Sequence, residues 1–131
     1  MREHLRTRAR DRGQAAIEYL GFLPLLLVVG LAGLQLGIVA YAAQQAGTAA
    51  RAAARAATTD EEDAPDCETA GRAAVSGWVD PEIGGCGGGT GDEAVVITVR
   101  VEIPRVIPFW DFEPVVKTAT MPRTPPTEDD E

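Results

Sequence analysis

From Leu20 to Ala43 the chain runs through 24 successive positions without a charge. As helix that stretch is about 36 Å long at 1.5 Å per residue, enough to cross a hydrocarbon core of roughly 30 Å with some tilt. The pattern predicts a transmembrane segment at about 20–43. Pro24 lies one turn inside it and cannot donate to the Leu20 carbonyl, which predicts a kink or local loosening there. Beyond Gln44 the run Ala-Ala-Arg-Ala-Ala-Ala-Arg-Ala-Ala, residues 49–57, has very high helix propensity, so a single helix is expected over 14–57. Arg51 and Arg55 share a face one turn apart. The alanine surface opposite them suits close packing against another helix, or else the segment is a solvated stalk. Thr58, Thr59, the acids Asp60 to Asp63 and Pro65 then predict a helix stop and an acidic linker over 58–66.

The period changes from helical to two at Val95, Ile97, Val99, Val101 and Ile103, which alternate with Val96, Thr98, Arg100 and Glu102. That alternation predicts a strand with one buried face. Val115 to Thr120 is expected to pair with it antiparallel across a loop carrying Pro104, Pro108, Phe109, Trp110 and Pro114. The aromatics of that loop are expected to cap the small core, the alternative being a contact surface for another subunit. Ala70 to Val79 reads as a short helix with Val75 and Trp78 on its apolar side. Gly84 to Gly91 surrounds Cys86 and reads as a flexible loop, since it lacks the lysine and hydroxyl residue of a phosphate-binding loop. Pro122 to Glu131 is proline-rich and acidic and is expected to be a disordered tail. The fold class is therefore α+β: one long N-terminal transmembrane helix, then a small outer domain at 67–121 holding an antiparallel hairpin or small sheet.

Charge adds an orientation. Residues 1–13 carry a balance of +3, residues 14–57 of +1 and residues 58–131 of −12. Short arginine-rich flanks stay cytoplasmic, so the N-terminus is expected inside and the acidic part outside. An acidic exported part excludes nucleic acid as a partner, because that binding depends on neutralising phosphates. Cys67 and Cys86 both fall on the outer side, where an even count reads as one disulfide across 18 intervening residues. Loop closure of that size contributes about 3 kcal/mol in the chain-entropy account. Metal binding is the rival, but there is no second cysteine pair and the sole histidine, His4, lies in the leader. No metal and no cofactor is expected.

With 131 residues the chain has room for an anchor and one small domain and not for a large enzyme core. No nucleophile and base can be paired, so no enzymatic activity is expected. Glu18 is the one charge between Gly13 and Ala50. Held at mid-bilayer, a carboxylate costs roughly 2.5–3.5 kcal/mol on insertion scales, so it needs a partner or must reach the headgroups beside Tyr19. Gly33 and Gly37, extended by Gly30 and Ala40, form a small-residue stripe that would let a second helix approach. Gln35 points away from that stripe and is expected to bond a second helix or to sit in a bundle interior.

The residues around Gly13 resemble a type IV prepilin processing site, in which a peptidase cuts after a glycine and a glutamate stands fifth in the mature chain. Cutting between Gly13 and Gln14 makes Glu18 fifth. Glu18-Tyr19 is similar to the acid-aromatic pair of the Flp and Tad branch. Gly13 to Ala57 is similar to the TadE-like pseudopilins, through Gly13-Gln14-Ala15, Leu23-Pro24-Leu25-Leu26-Leu27 and Ala49-Ala50-Arg51. The resemblance implies a minor pilin or pseudopilin of a Tad (Flp) pilus or related secretion machine. It implies a cleaved basic leader, residues 1–13, and a mature chain of 118 residues. It further implies that Glu18 pairs with the new amine of a neighbouring subunit. The implied partners are the lipid bilayer, a prepilin peptidase, other pilin subunits and the assembly platform. The implied location is the cytoplasmic membrane, single-pass, or the cell surface in an assembled fibre. Two alternatives need no such processing: a secreted protein cut after the small-x-small triplet Ala40-Tyr41-Ala42, and an uncut single-pass anchor with a binding domain.

Overall fold

The computed structural model describes residues 3–59, 61–87 and 93–123, with side chains from residue 13 onward. One α-helix, α1, spans Glu3–Ala57 and continues as α-helix through Pro24. A short helix α2 spans Cys67–Ala73, followed by strands β1 at Pro81–Gly84, β2 at Ala94–Val101 and β3 at Val115–Pro122. The chain divides into two units, Met1–Leu36 and Gly37–Glu131. The first is the N-terminal part of α1. The second combines the rest of α1 with α2 and an antiparallel sheet in the order β1-β2-β3. The α+β class and the antiparallel sheet agree with the sequence pattern.

Alternation along β2 builds the core of the second unit. Val95, Ile97, Val99 and Val101 are buried on one face, and the core they form includes Ala42, Ala46, Ala49, Ala50, Ala53 and Ala54 of α1. Alanine's single methyl lets the helix backbone come close to a layer of branched side chains without leaving voids. So the alanine face expected to receive another helix is filled by the chain's own sheet and by α2. Ile38 and Val39 pack against the same core, which draws the C-terminal end of the apolar run into this unit. The opposite face of the sheet carries Thr98 and Thr118 directly across from one another, with hydroxyls 3.4 Å apart. On edge strand β3, exposed Lys117 stands in register with buried Val99 and so faces inward, a placement that discourages another chain from adding to the edge.

Local chemistry explains where α1 stops and α2 begins. The Thr58 and Thr59 hydroxyls both donate to the Arg55 carbonyl and close the last turn of α1. Asp66 caps α2, its carboxylate accepting from the Thr69 amide at 3.1 Å. Hydrogen bonding from Thr69, its side chain first and its amide second, holds the Asp66 carboxyl below its ordinary range. The helix expected at 70–79 is thus displaced: it begins at Cys67, where the cap lies, and ends at Ala73. Trp78 is outside it and 57% exposed. Gly71 is the contact point of α2. A Cβ there would collide with Ile83 Cδ1 and lie 3.2 Å from Ala53 Cβ and 3.4 Å from the Ala49 carbonyl.

The glycine-rich stretch also begins differently from the loop expected. Gly84 closes strand β1, which the pattern did not signal, because Pro81 at its start and only four residues leave no alternation to read. Gly85 follows at φ +95°, with its α-carbon against the Val96 carbonyl, a geometry that excludes a side chain. Residues 88–92 of that loop lie outside the described residues, as do 124–131 of the tail. β3 includes Pro122, so the tail expected from that residue starts inside the sheet. The aromatics expected to cap the core do not: Phe109 is 88% and Trp110 54% exposed. Half-buried Phe112 packs against the core instead, and Ile107 of the same loop is buried.

Candidate processing and assembly segment

Gly13, Gln14, Glu18 and Tyr19 all lie on α1, and the Gly13–Gln14 peptide bond is inside the helix. Gln14 and Glu18 are four residues apart, so they share a face about 40° apart and about 6 Å along the axis. Every residue from Gly13 to Gly30 is exposed. Leu20, Phe22, Leu25, Leu27, Val28 and Val29 are each more than half exposed. A helix with such residues on all sides requires an apolar environment to cover them. By length and composition it is long and apolar enough to cross a membrane.

Within this helix the structure leaves Gly33 and Gly37 exposed, with nothing within 4 Å of a Cβ built on either. The stripe faces open space in the single chain. Gln35, expected to bond a second helix or to sit in a bundle interior, is 1% exposed.

The second unit is tied to α1 through residues whose spacing had not stood out. Tyr41 Oη lies 2.6 Å from Ser76 Oγ, and its ring stacks on Trp78 at 5.5 Å between centroids. One turn further, Gln45 Oε1 accepts from the Ser76 amide at 3.3 Å. The hint in the sequence is the polar pair Gln44-Gln45 directly after an apolar run, preceded by one tyrosine at helical spacing. Arg72 donates to Glu68 at 3.1 Å and to Asp80 at 2.8 Å, which ties α2 to the start of β1. These bonds, that to Glu68 first, raise its pKa further above the ordinary arginine value.

Cys67 and Cys86 form the expected disulfide, with α-carbons 5.7 Å apart. It joins the first residue of α2 to the turn after β1. A helix of seven residues has little stability alone, so the crosslink and the Gly71 contact hold α2 in place.

The fold and this segment define a class: a single long apolar helix with one acid near its start, continuing into a small disulfide-tied α+β body. The family model described as TadE-like protein matches residues 13–55, about a third of the chain, and its match opens on Gly13. No curated protein and no solved structure matches the chain.

Proposed function

We propose that this protein is a minor pilin or pseudopilin of a Tad (Flp) pilus or related secretion machine, held in the cytoplasmic membrane by α1 with its C-terminal body outside. The observation that carries this reading is the TadE-like match starting at Gly13, five residues before the one charge between Gly13 and Ala50. A prepilin peptidase cuts after Gly13, where the missing side chain permits close approach. The protein is a substrate of that reaction and a structural subunit, not a catalyst.

Cutting creates an amine on Gln14, one helical turn from Glu18. In a stack of apolar helices, an unpaired carboxylate in low dielectric is strongly unfavourable, and so is an unpaired ammonium. Pairing Glu18 with the amine of the adjacent subunit relieves both at one register of the stack. Misplacement by a turn leaves both charges buried without partners, so the pair selects register more than it adds attraction. The exposed Gly33-Gly37 stripe offers the surface on which helices approach.

The packing of Tyr41 and Ala42 also supports an intact α1. A cut after Ala42 would remove buried Ala42, and the Tyr41 contacts with Ser76 and Trp78, from the body they help hold together. The test is the N-terminal residue and intact mass of the protein extracted from membranes of cells that contain the peptidase. The expected start is Gln14, and Gly13→Leu is expected to retain the leader. An N-terminus at Met1 in the unsubstituted protein would remove the processing assignment, and one at Ala43 would make the helix a signal peptide.

A further inference from the structure

Contacts along α1 set the height of each part of the second unit. Lys117 of β3 shares a groove with Gln44, Gly47 and Thr48, whereas Met121 shares one with Ala52, Arg55 and Thr59. β3 therefore runs in the same sense as α1, away from Gly37. Going back from Lys117 to the start of β3 at Val115 descends about 7 Å, roughly the rise of four or five helical residues. That is the level of Tyr41. Val115 pairs with Val101 and Val101 with Pro81. Both the loop over 102–114 and the segment just before Pro81 thus hang from the end where α1 enters the unit.

Aromatic side chains gather at that end. Trp78 stacks on Tyr41 and remains more than half exposed. In the loop, Ile103 and Ile107 are buried as roots, and Arg105 is bonded to Asp111 at 2.6 Å across its base. The Trp110 amide donates to the Ile107 carbonyl at 3.2 Å, closing a turn whose tip is Pro108-Phe109. Trp110 stacks on Phe112 at 5.6 Å, and Phe109 points free. A braced loop that presents its bulkiest apolar groups outward needs something apolar to receive them.

We propose that this aromatic end of the outer body, Phe109, Trp110 and Trp78 beside Tyr41, seats in the headgroup layer of the outer leaflet and sets the body's height on the bilayer. The inference rests on the reading of α1 as a membrane span. In the sequence, Tyr41 stands near the end of the uncharged run Leu20–Ala43, whose 24 residues are about 36 Å long as helix against roughly 30 Å for a hydrocarbon core. Tyrosine and tryptophan concentrate at both water–membrane boundaries, where an apolar ring and a polar N–H or O–H are each satisfied. Arg105, Asp111 and Glu113 flank the aromatics and remain exposed, as groups in a polar headgroup region would.

The test uses the full chain in phosphatidylcholine vesicles, with Trp78→Phe leaving Trp110 as the only indole. The expected result is loss of Trp110 emission when the acyl chains are brominated near the headgroups, together with shielding from aqueous acrylamide. Adding Phe109→Ser is expected to weaken both effects. Trp110→Phe, which leaves Trp78, is expected to show the same quenching. Full acrylamide access without bromine quenching, in a chain that stays with carbonate-washed vesicles, would overturn the seat while leaving the anchor intact. Loss of the chain from washed vesicles would overturn both. Shielding that grows with protein density but shows no bromine quenching would assign the aromatics to a subunit contact and overturn the proposal.

Discussion

Replacing Gly71 with alanine adds one methyl group where α2 meets α1 and β1. The new carbon would collide with Ile83 Cδ1, which is the end of a flexible side chain and can turn aside. It would also stand 3.2 Å from Ala53 Cβ and 3.4 Å from the Ala49 carbonyl, which belong to α1 and cannot move without shifting that helix. Overpacking of this kind costs typically 1–3 kcal/mol. Against it, alanine in place of glycine inside a helix returns roughly 0.5–1 kcal/mol. From the middle of each range the balance is a loss of about 1.25 kcal/mol, or a fall in Tm of roughly 5–10 °C for a domain of about this size. Thermal unfolding of the full chain in micelles, followed by the tryptophan emission that reports the Tyr41–Trp78 contact, measures it. Gly77→Ala is the control, because nothing lies within 4 Å of a Cβ at that position. A Gly71→Ala protein as stable as the Gly77→Ala protein would refute the close approach of α2 to α1.

Replacing Cys67 and Cys86 together with serine is expected to lower stability by about 3 kcal/mol in the same assay, and unfolding unaffected by the double change or by reductant would show the crosslink to be dispensable. Asp66 has a folded pKa below its unfolded value of 3.8, so its stabilisation is complete above that pH and is lost as pH falls through the folded value. Asp66→Asn keeps a capping oxygen without the charge, and the stability difference between the two proteins is expected to be constant from neutral pH to about 5 and to shrink in acid; a difference that does not change with pH would remove the charged cap. Glu18→Val is expected to insert in membranes and be processed normally yet fail to enter fibres, as read by immunoblot of sheared surface material, and normal incorporation would sink the pairing of Glu18 with a neighbouring amine.

Much of this architecture is carried by local pattern. The uncharged run after Glu18, the alanine-rich continuation and the period-two alternation of Val95 to Ile103 each reflect a side-chain periodicity that holds wherever the element packs. The disulfide was legible for a similar reason, since two cysteines expected in an oxidising compartment have one way to pair. That Gln14 and Glu18 share one face of α1 follows from spacing alone.

Other features were decided only by distant contacts. Strand β1 exists because β2 offers it a free edge, and its four residues beginning with proline carry no periodic signal. The alanine face of α1 could equally have met another helix, and it is the β2 side chains, more than forty residues away in the chain, that determine what fills it. Phe109 and Trp110 illustrate the same limit from the other side. Aromatic residues are bought by cores and by surfaces alike, and which of them turns inward depends on the turn from Ile107 to Trp110 and on the space already taken by Ile107 and Phe112. Sequence by itself determined the long helix with its apolar run and the strands β2 and β3, because those follow from local periodicity and solvent preference. Only the tertiary structure decided which faces meet, because that depends on the volume and shape left between elements far apart in the chain.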